Sequence, residues 1–249
     1  MGQMRLSRLM ALRGLCSRRE ADVYIEQGLV RVDGKTVTTL GTRVDEQSNI
    51  TLAPTAQRQQ SQRLTILLNK PLGYVSGYTK RRDQDDRAYP SAASLIVAAN
   101  HFRGDRPRKA PDREQRARLA PAGRLDVDSQ GLLVLTEDGR IARKLIGPGN
   151  SIEKEYLVRV DRDAGQAALI KLRHGLQLDG RPLKPAKVDQ LDTRLLRMTL
   201  IEGRKRQIRR MCELVSLQVL SLKRTRIGRV RLGPLPRGQW RYLRENEQF

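Results

Sequence analysis

Two cysteines in 249 residues, Cys16 and Cys212, are too few for a disulfide framework, which points to a reducing compartment. Only two histidines, His101 and His174, stand beside them, and no group has the ligand spacing of a zinc or iron site, so no metal is expected. No apolar run approaches the ~20 residues a spanning helix needs, and no helix pairs a basic face with a greasy one. Nor does an apolar signal core follow Met1. The expectation is a cytoplasmic protein without membrane contact. Nucleotide fingerprints are missing too. Gly147-Pro148-Gly149 runs into Asn150, Ser151 and Ile152, no phosphate-cradling loop is present, and no cofactor is expected. Acid is scarce, with 27 Asp and Glu against 49 Lys and Arg, a net charge of +22. Such a field concentrates a polyanion at the surface, and nucleic acid is the first candidate. What is present suffices for a core: 38% hydrophobic and 31% charged residues, in a length that suits one large domain or two unequal ones.

Leu6, Leu9 and Met10 repeat at helical spacing up to Gly14, which suggests a short first helix. Ser17-Arg18-Arg19-Glu20 has the form of a capping box, and the helix it opens ends near Gly28 with Ala21, Tyr24 and Ile25 facing inward. Arg18 and Arg19 then lie on its first turn, either as solvated arginines or beside a phosphate. Leu29-Val30-Arg31-Val32, Asp33-Gly34 and Lys35-Thr36-Val37 have the signature of a tight hairpin. Residues 53–63 are Gln-rich with one Pro and are expected to be a linker without a packed element.

From Leu64 the chain changes to short apolar runs separated by Gly, Pro and Asp-Gly, an α+β pattern with many strands. Residues 79–119 form a polar stretch with Arg103, Arg106, Arg108, Lys109, Arg113, Arg116 and Arg118 in its second half. It is expected to be a mobile insert, either solvated or in contact with RNA. Between Gly203 and Arg231 ten basic residues stand against one acid, Glu213, and alternation over 223–232 would line several of them along a phosphate backbone. Cys212, in Ile208-Arg209-Arg210-Met211-Cys212, suits a buried helix position better than a nucleophile. Gly123-Arg124-Leu125-Asp126-Val127-Asp128-Ser129-Gln130-Gly131 is a turn-rich segment ahead of the apolar run Leu132 to Leu135, a good mount for a reactive carboxylate. Spacing alone does not choose between Asp126 and Asp128, and either could simply close a turn or pair with Arg124.

Residues 4–52, through Cys16-Ser17-Arg18-Arg19-Glu20-Ala21-Asp22 and Gly28-Leu29-Val30-Arg31-Val32-Asp33-Gly34, resemble the S-four RNA-binding domain. Four further motifs, in the family's order, resemble the RsuA-type pseudouridine synthases (RsuA, RluB, RluE and RluF). They are Leu68-Asn69-Lys70-Pro71-Leu72-Gly73, the 123–139 segment, Glu153-Lys154-Glu155-Tyr156-Leu157-Val158, and Glu202-Gly203-Arg204-Lys205-Arg206-Gln207-Ile208-Arg209-Arg210-Met211. The 16–28 segment and Gly149-Asn150 before Glu153 are most like the RluF branch. Ser129 stands where Thr is common, and the insert is longer and more basic than the family pattern.

The resemblance implies a mixed, largely antiparallel sheet with flanking helices over 64–249. It also implies an isomerase that detaches uracil from ribose, turns the base and rejoins it through carbon 5, without a cofactor. Asp126 would be the catalytic carboxylate, Tyr156 the aromatic stacked on the target base, and Arg209 the basic partner of Asp126. Arg18, Arg19, Lys70, Arg124, Arg206, Gln207 and Arg210 would contact RNA. The implied substrate is large-subunit (23S) ribosomal RNA, with transfer RNA or pre-ribosomal particles as alternatives, and a non-catalytic assembly factor is the rival reading. A monomer is the default.

Overall fold

The computed structural model describes residues 2–77, 88–105 and 109–249. The N-terminal part comprises β1 (Gln3–Arg5), α1 (Leu6–Leu12), α2 (Arg18–Glu26), β2 (Val30–Val32), β3 (Lys35–Val37), β4 (Arg43–Asp45) and β5 (Ile50–Leu52). Local chemistry sets these elements. Ser17 accepts from the Glu20 amide while Glu20 accepts from the Ser17 amide, the reciprocal cap that starts α2. Asp33 and Gly34 both take positive φ, the backbone a tight hairpin between β2 and β3 requires. Leu6, Met10, Tyr24, Ile25 and Val30 fill this module's own core.

The stretch expected to be a linker is instead α3 (Pro54–Ser61). Pro54 suits a first helical turn. The buried Gln60 donates to the Leu15 carbonyl, so the helix is held by tertiary contacts that composition does not reveal.

The remainder comprises β6 (Thr65–Lys70), α4 (Arg113–Arg118), β7 (Ala120–Pro121), β8 (Gln130–Thr136), α5 (Gly139–Ile146), β9 (Lys154–Val160), α6 (Gly165–Arg173), β10 (Gln177–Leu178) and β11 (Arg181–Pro182). After these come β12 (Lys187–Asp192), β13 (Leu195–Leu200), α7 (Gln207–Glu213), β14 (Val219–Ile227), β15 (Val230–Arg231) and β16 (Trp240–Tyr242). A nine-stranded sheet runs β12-β13-β9-β14-β8-β6-β16, with β15 on β14 and β7 on β8. Its strand pairings are antiparallel except β14 with β8, where Lys223 faces Gln130 and Arg224 faces Gly131. One core packs α6 and α7 on β9, β12, β13 and β14; two more lie on the two faces of β6 and β8.

The described part of the insert is ordered by that sheet. Two short 3-10 turns, Ala92–Leu95 and Ala98–Asn100, bury Ala92 and Ile96, Trp240 donates to the Val97 carbonyl, and His101 stacks on the Trp240 ring. These apolar anchors seat the described part of this polar stretch against β16. Arg106 and Arg108 lie outside the described residues. No helix among the described residues is long and apolar enough to cross a membrane.

Candidate active site

The 123–129 loop leads into β8, and five consecutive carbonyls in it each accept a hydrogen bond. Arg224 Nη1 donates to Arg124 O (3.3 Å), Ser76 Oγ to Leu125 O (2.7 Å), and Ser129 N to Asp126 O (3.1 Å). Gly73 N donates to Val127 O (3.0 Å) and Arg209 Nη2 to Asp128 O (2.7 Å). Leu125, itself buried, also donates its amide to Ser76 Oγ. The backbone is thereby pinned from three other parts of the chain, while no hydrogen bond or ion pair among the described residues reaches the half-buried Asp126 carboxylate. A carboxylate held by its backbone and unengaged at its oxygens is poised to meet a ligand.

Asp128 is engaged. Its carboxylate takes Arg206 Nη1 at 2.9 Å and lies 3.3 Å from Arg209 Nε. The expected pairing of Arg209 with Asp126 is thus corrected. The turn closed by Ser129 N on Asp126 O sets Asp128, not Asp126, against the start of α7, and Arg209 works there by holding the loop. Arg209 is buried, with Nη1 on the Val219 carbonyl.

Behind the loop three strands are in register: Gly131 on β8, Arg224 on β14 and Tyr156 on β9. Gly131 has φ +104°, and a Cβ there would lie 2.3 Å from the Arg224 carbonyl oxygen. Only glycine permits this approach. Arg224 is 2% exposed, with Nε on the Leu132 carbonyl at 2.7 Å. Arg226, two residues on, pairs with Glu153 and Glu155. The alternation expected to align this strand's arginines with phosphates therefore turns Arg224 inward and spends Arg226 on carboxylates. Tyr156 is half-buried between two cores, and its hydroxyl makes no hydrogen bond among the described residues.

Lys70, expected to contact RNA, is fully buried at the end of β6, opposite Gly131, with Nζ on the Pro71 and Tyr74 carbonyls at 2.8 Å each. Burial pushes this ammonium down to about 8; the Asp128 and Asp126 carboxylates oppose the fall and Arg224 adds to it. Lys70 is therefore an internal cation near the loop. Gln207 is likewise buried, accepting from Arg204 N and donating to Glu202, so it closes the turn before α7 and does not face RNA. Arg210 pairs with Asp179 at the surface. Arg18, Arg19 and Arg124 are exposed. Cys212 is buried and its thiol is pushed up to about 12 by that burial, so it holds no thiolate at neutral pH. Sequence reasoning missed Gly73, Ser76 and Gly131 as loop supports; Gly73, inside Lys70-Pro71-Leu72-Gly73, and Gly131, at the end of the Gly123–Gly131 segment, carried a local signal, and Ser76 carried none.

Residues 64–214 match the family described as RNA pseudouridylate synthase, and residues 4–50 match the S4 domain. The chain is 37% identical over 246 residues to "Dual-specificity RNA pseudouridine synthase RluF" of Escherichia coli K12, covering 98% of this chain and 77% of the relative. It is 36% identical over 245 residues to an uncharacterized RNA pseudouridine synthase of Aquifex aeolicus, covering 98% and 94%. A solved pseudouridylate synthase superposes with a TM-score of 0.63 at 27% identity, over 97% of this chain and 96% of that one.

Proposed function

The chain belongs to the RNA pseudouridine synthases, and from that premise we propose that it isomerises a uridine of large-subunit ribosomal RNA with Asp126 as its catalytic carboxylate. The observation that carries the assignment is the contrast within the loop: the backbone around Asp126 is bound at every carbonyl from Arg124 to Asp128, while its carboxylate is left unengaged. The reaction breaks the bond from the sugar C1′ to N1 and forms one from C1′ to C5. N1 gains a proton and C5 loses one, so atoms balance with no cofactor. Positive charge builds on the sugar as the first bond breaks, and an ionised carboxylate there stabilises that charge, attacks C1′, or takes a neighbouring sugar proton. Tyr156, two strands away with its ring partly exposed, offers a face to the uracil that has left its stack. Arg209 and Arg206 position the loop through Asp128.

The proposed division of labour follows the chain. Residues 4–52 grip RNA through Arg18 and Arg19, residues 64–249 hold the target segment near Arg124 and Arg206, and the protein works in the cytoplasm as a monomer. The dual specificity in the name of the Escherichia coli relative favours a second substrate class, for which transfer RNA is the candidate we propose. Carbodiimide labelling and primer extension on unmodified ribosomal and transfer RNA tests both. The expected result is a new stop with wild type that is absent with Asp126→Ala. Stops that persist with Asp126→Ala would refute its role. No stop on any RNA, partly assembled ribosomal particles included, would instead favour an assembly factor.

A further inference from the structure

The catalytic loop and the N-terminal module sit at opposite ends of one buried strand. β8 leaves the loop at Gln130 and ends at Thr136. At about 3.3 Å per residue its seven residues span roughly 23 Å. Of the three residues that follow, Gly139 lies against Ser17 and Glu20 of the small module, and Glu137 is tied to Arg63 and Leu64 in the connection that leads out of it.

Arg63, just past α3, is the centre of that seam. It donates to the Glu137 carbonyl (2.8 Å) and the Tyr24 hydroxyl (3.2 Å), and it pairs with Glu20. Gln60 bridges the Leu15 carbonyl and Arg140, and Arg143 donates to the Ala11 carbonyl. A Cβ on Gly139 would stand 2.3 Å from Ser17 Cβ and 2.6 Å from Glu20 Oε2, so the two parts meet too closely there for any side chain. The connection has no slack. Ala53 N is bound to the Leu29 carbonyl, α3 takes up Pro54–Ser61, and Leu64 N is bound to Glu137 Oε2 at 2.9 Å.

The helices gripped by this seam, α1 and α2, also supply Arg8 and Arg18. Together with Arg5 and Arg43 these line a cleft of about 410 Å³. A flexible tether would add only local concentration. A seam without slack fixes distance as well.

We infer that the seam holds the arginine cleft at a set separation from Asp126, so that the small module selects which uridine of a structured RNA enters the site. Arg63 and Gly139 are its positioning residues. The selection step rests on the isomerase reading above; the seam does not.

The test uses the full chain with Gly139→Val, which wedges the contact, and Arg63→Ala, which removes its hub. Spin labels at Val23 and Leu191, both exposed and one on each part, report the separation by pulsed electron resonance. The expected result is one narrow distance in wild type and a broadened distribution in both variants. On long ribosomal transcripts the variants should lose at least tenfold in preference for the wild-type uridine over its neighbours. On a short isolated hairpin carrying that uridine, turnover should change less than twofold. A wild-type modification map despite broadened distances would overturn the inference, as would distances unchanged in both variants. If wild type modifies no RNA, the selection step falls with the isomerase reading, and a narrow wild-type distance still tells that failure apart from failure of the seam.

Discussion

Asp126 is free because its neighbours are not. Asp128 absorbs Arg206 and Arg209, and Lys70 spends its donors on Pro71 and Tyr74, so the cations near the loop organise it without bonding to the Asp126 carboxylate. Removing that charge should separate chemistry from binding. Asp126→Asn is expected to lower single-turnover pseudouridine formation by about 10³-fold or more, with RNA affinity in filter binding held within about twofold. A parallel loss of both would make Asp126 a structural residue. Lys70 supplies a second test at this scale. Its pKa is about 8 in the folded chain against 10.5 as a free side chain. Between those pH values the unfolded state keeps the proton and the folded state sheds it, so stability rises with pH across this window. The buried thiols of Cys16 and Cys212, raised to about 12 from 9.0, act in the opposite sense above pH 9. Comparison with Lys70→Met isolates the lysine. The stability of wild type minus that of Lys70→Met, from urea unfolding, should grow by about 2 to 3 kcal/mol between pH 7 and pH 10. A flat difference would contradict the buried cation. That Asp126 and Asp128 have opposite fates was not legible from spacing, since both sit in the same turn and only α7, some 80 residues away, tells them apart.

At the level of elements, the parallel contact of β8 with β14 carries the site, and it depends on one missing side chain. Gly131→Ala places a Cβ 2.3 Å from the Arg224 carbonyl oxygen at a positive φ that alanine resists. The expected outcome is a loss of about 2 to 4 kcal/mol in urea unfolding with turnover reduced as well, since β14 must shift and the Arg224 bond to Arg124 O goes with it. Gly149→Ala, where the added Cβ meets nothing within 4 Å, controls for backbone strain alone and should cost about 1 kcal/mol. Equal losses at the two positions would remove the close approach as the cause. The elements legible in the sequence are those with local causes: the Ser17–Glu20 cap, the Asp33-Gly34 hairpin and the apolar runs of β6, β8 and β9. Those missed have distant causes. α3 exposes most of its length, and its fixed points, Ala56 and Gln60, read as linker composition until Leu15 and Arg140 are brought to them. The insert is seated by Trp240, far along the chain. Alternation over 223–232 does not say which of its arginines turn inward, because a basic run looks alike on either face of a strand; the burial of Arg224 follows from the glycine opposite it.

Across the whole molecule, the proposed function divides the work between a charge of +22 and the unengaged carboxylate of Asp126. Exposed arginines such as Arg18 and Arg19 stand apart from the proposed catalytic loop, beside which the cations Lys70, Arg206 and Arg209 are already paired or buried. The two therefore respond to different perturbations. If about six phosphates are neutralised, the logarithm of the binding constant should fall with the logarithm of salt concentration at a slope near −4 to −5, so doubling the salt weakens binding roughly 16- to 32-fold. Replacing Arg5, Arg8, Arg18 and Arg43 together with Gln removes the cleft of the small module without touching the catalytic loop. That slope should become shallower by about 3 while turnover at saturating RNA stays within about twofold, because every carbonyl bond that pins Asp126 comes from residues beyond Leu64. Titration at four salt concentrations with single-turnover rates at saturation separates the quantities. A slope unchanged by four lost arginines would mean that the small module does not carry RNA. A turnover that fell with the slope would mean that charge in the small module reaches the reacting base, which the intervening length of β8 makes incompatible with direct contact.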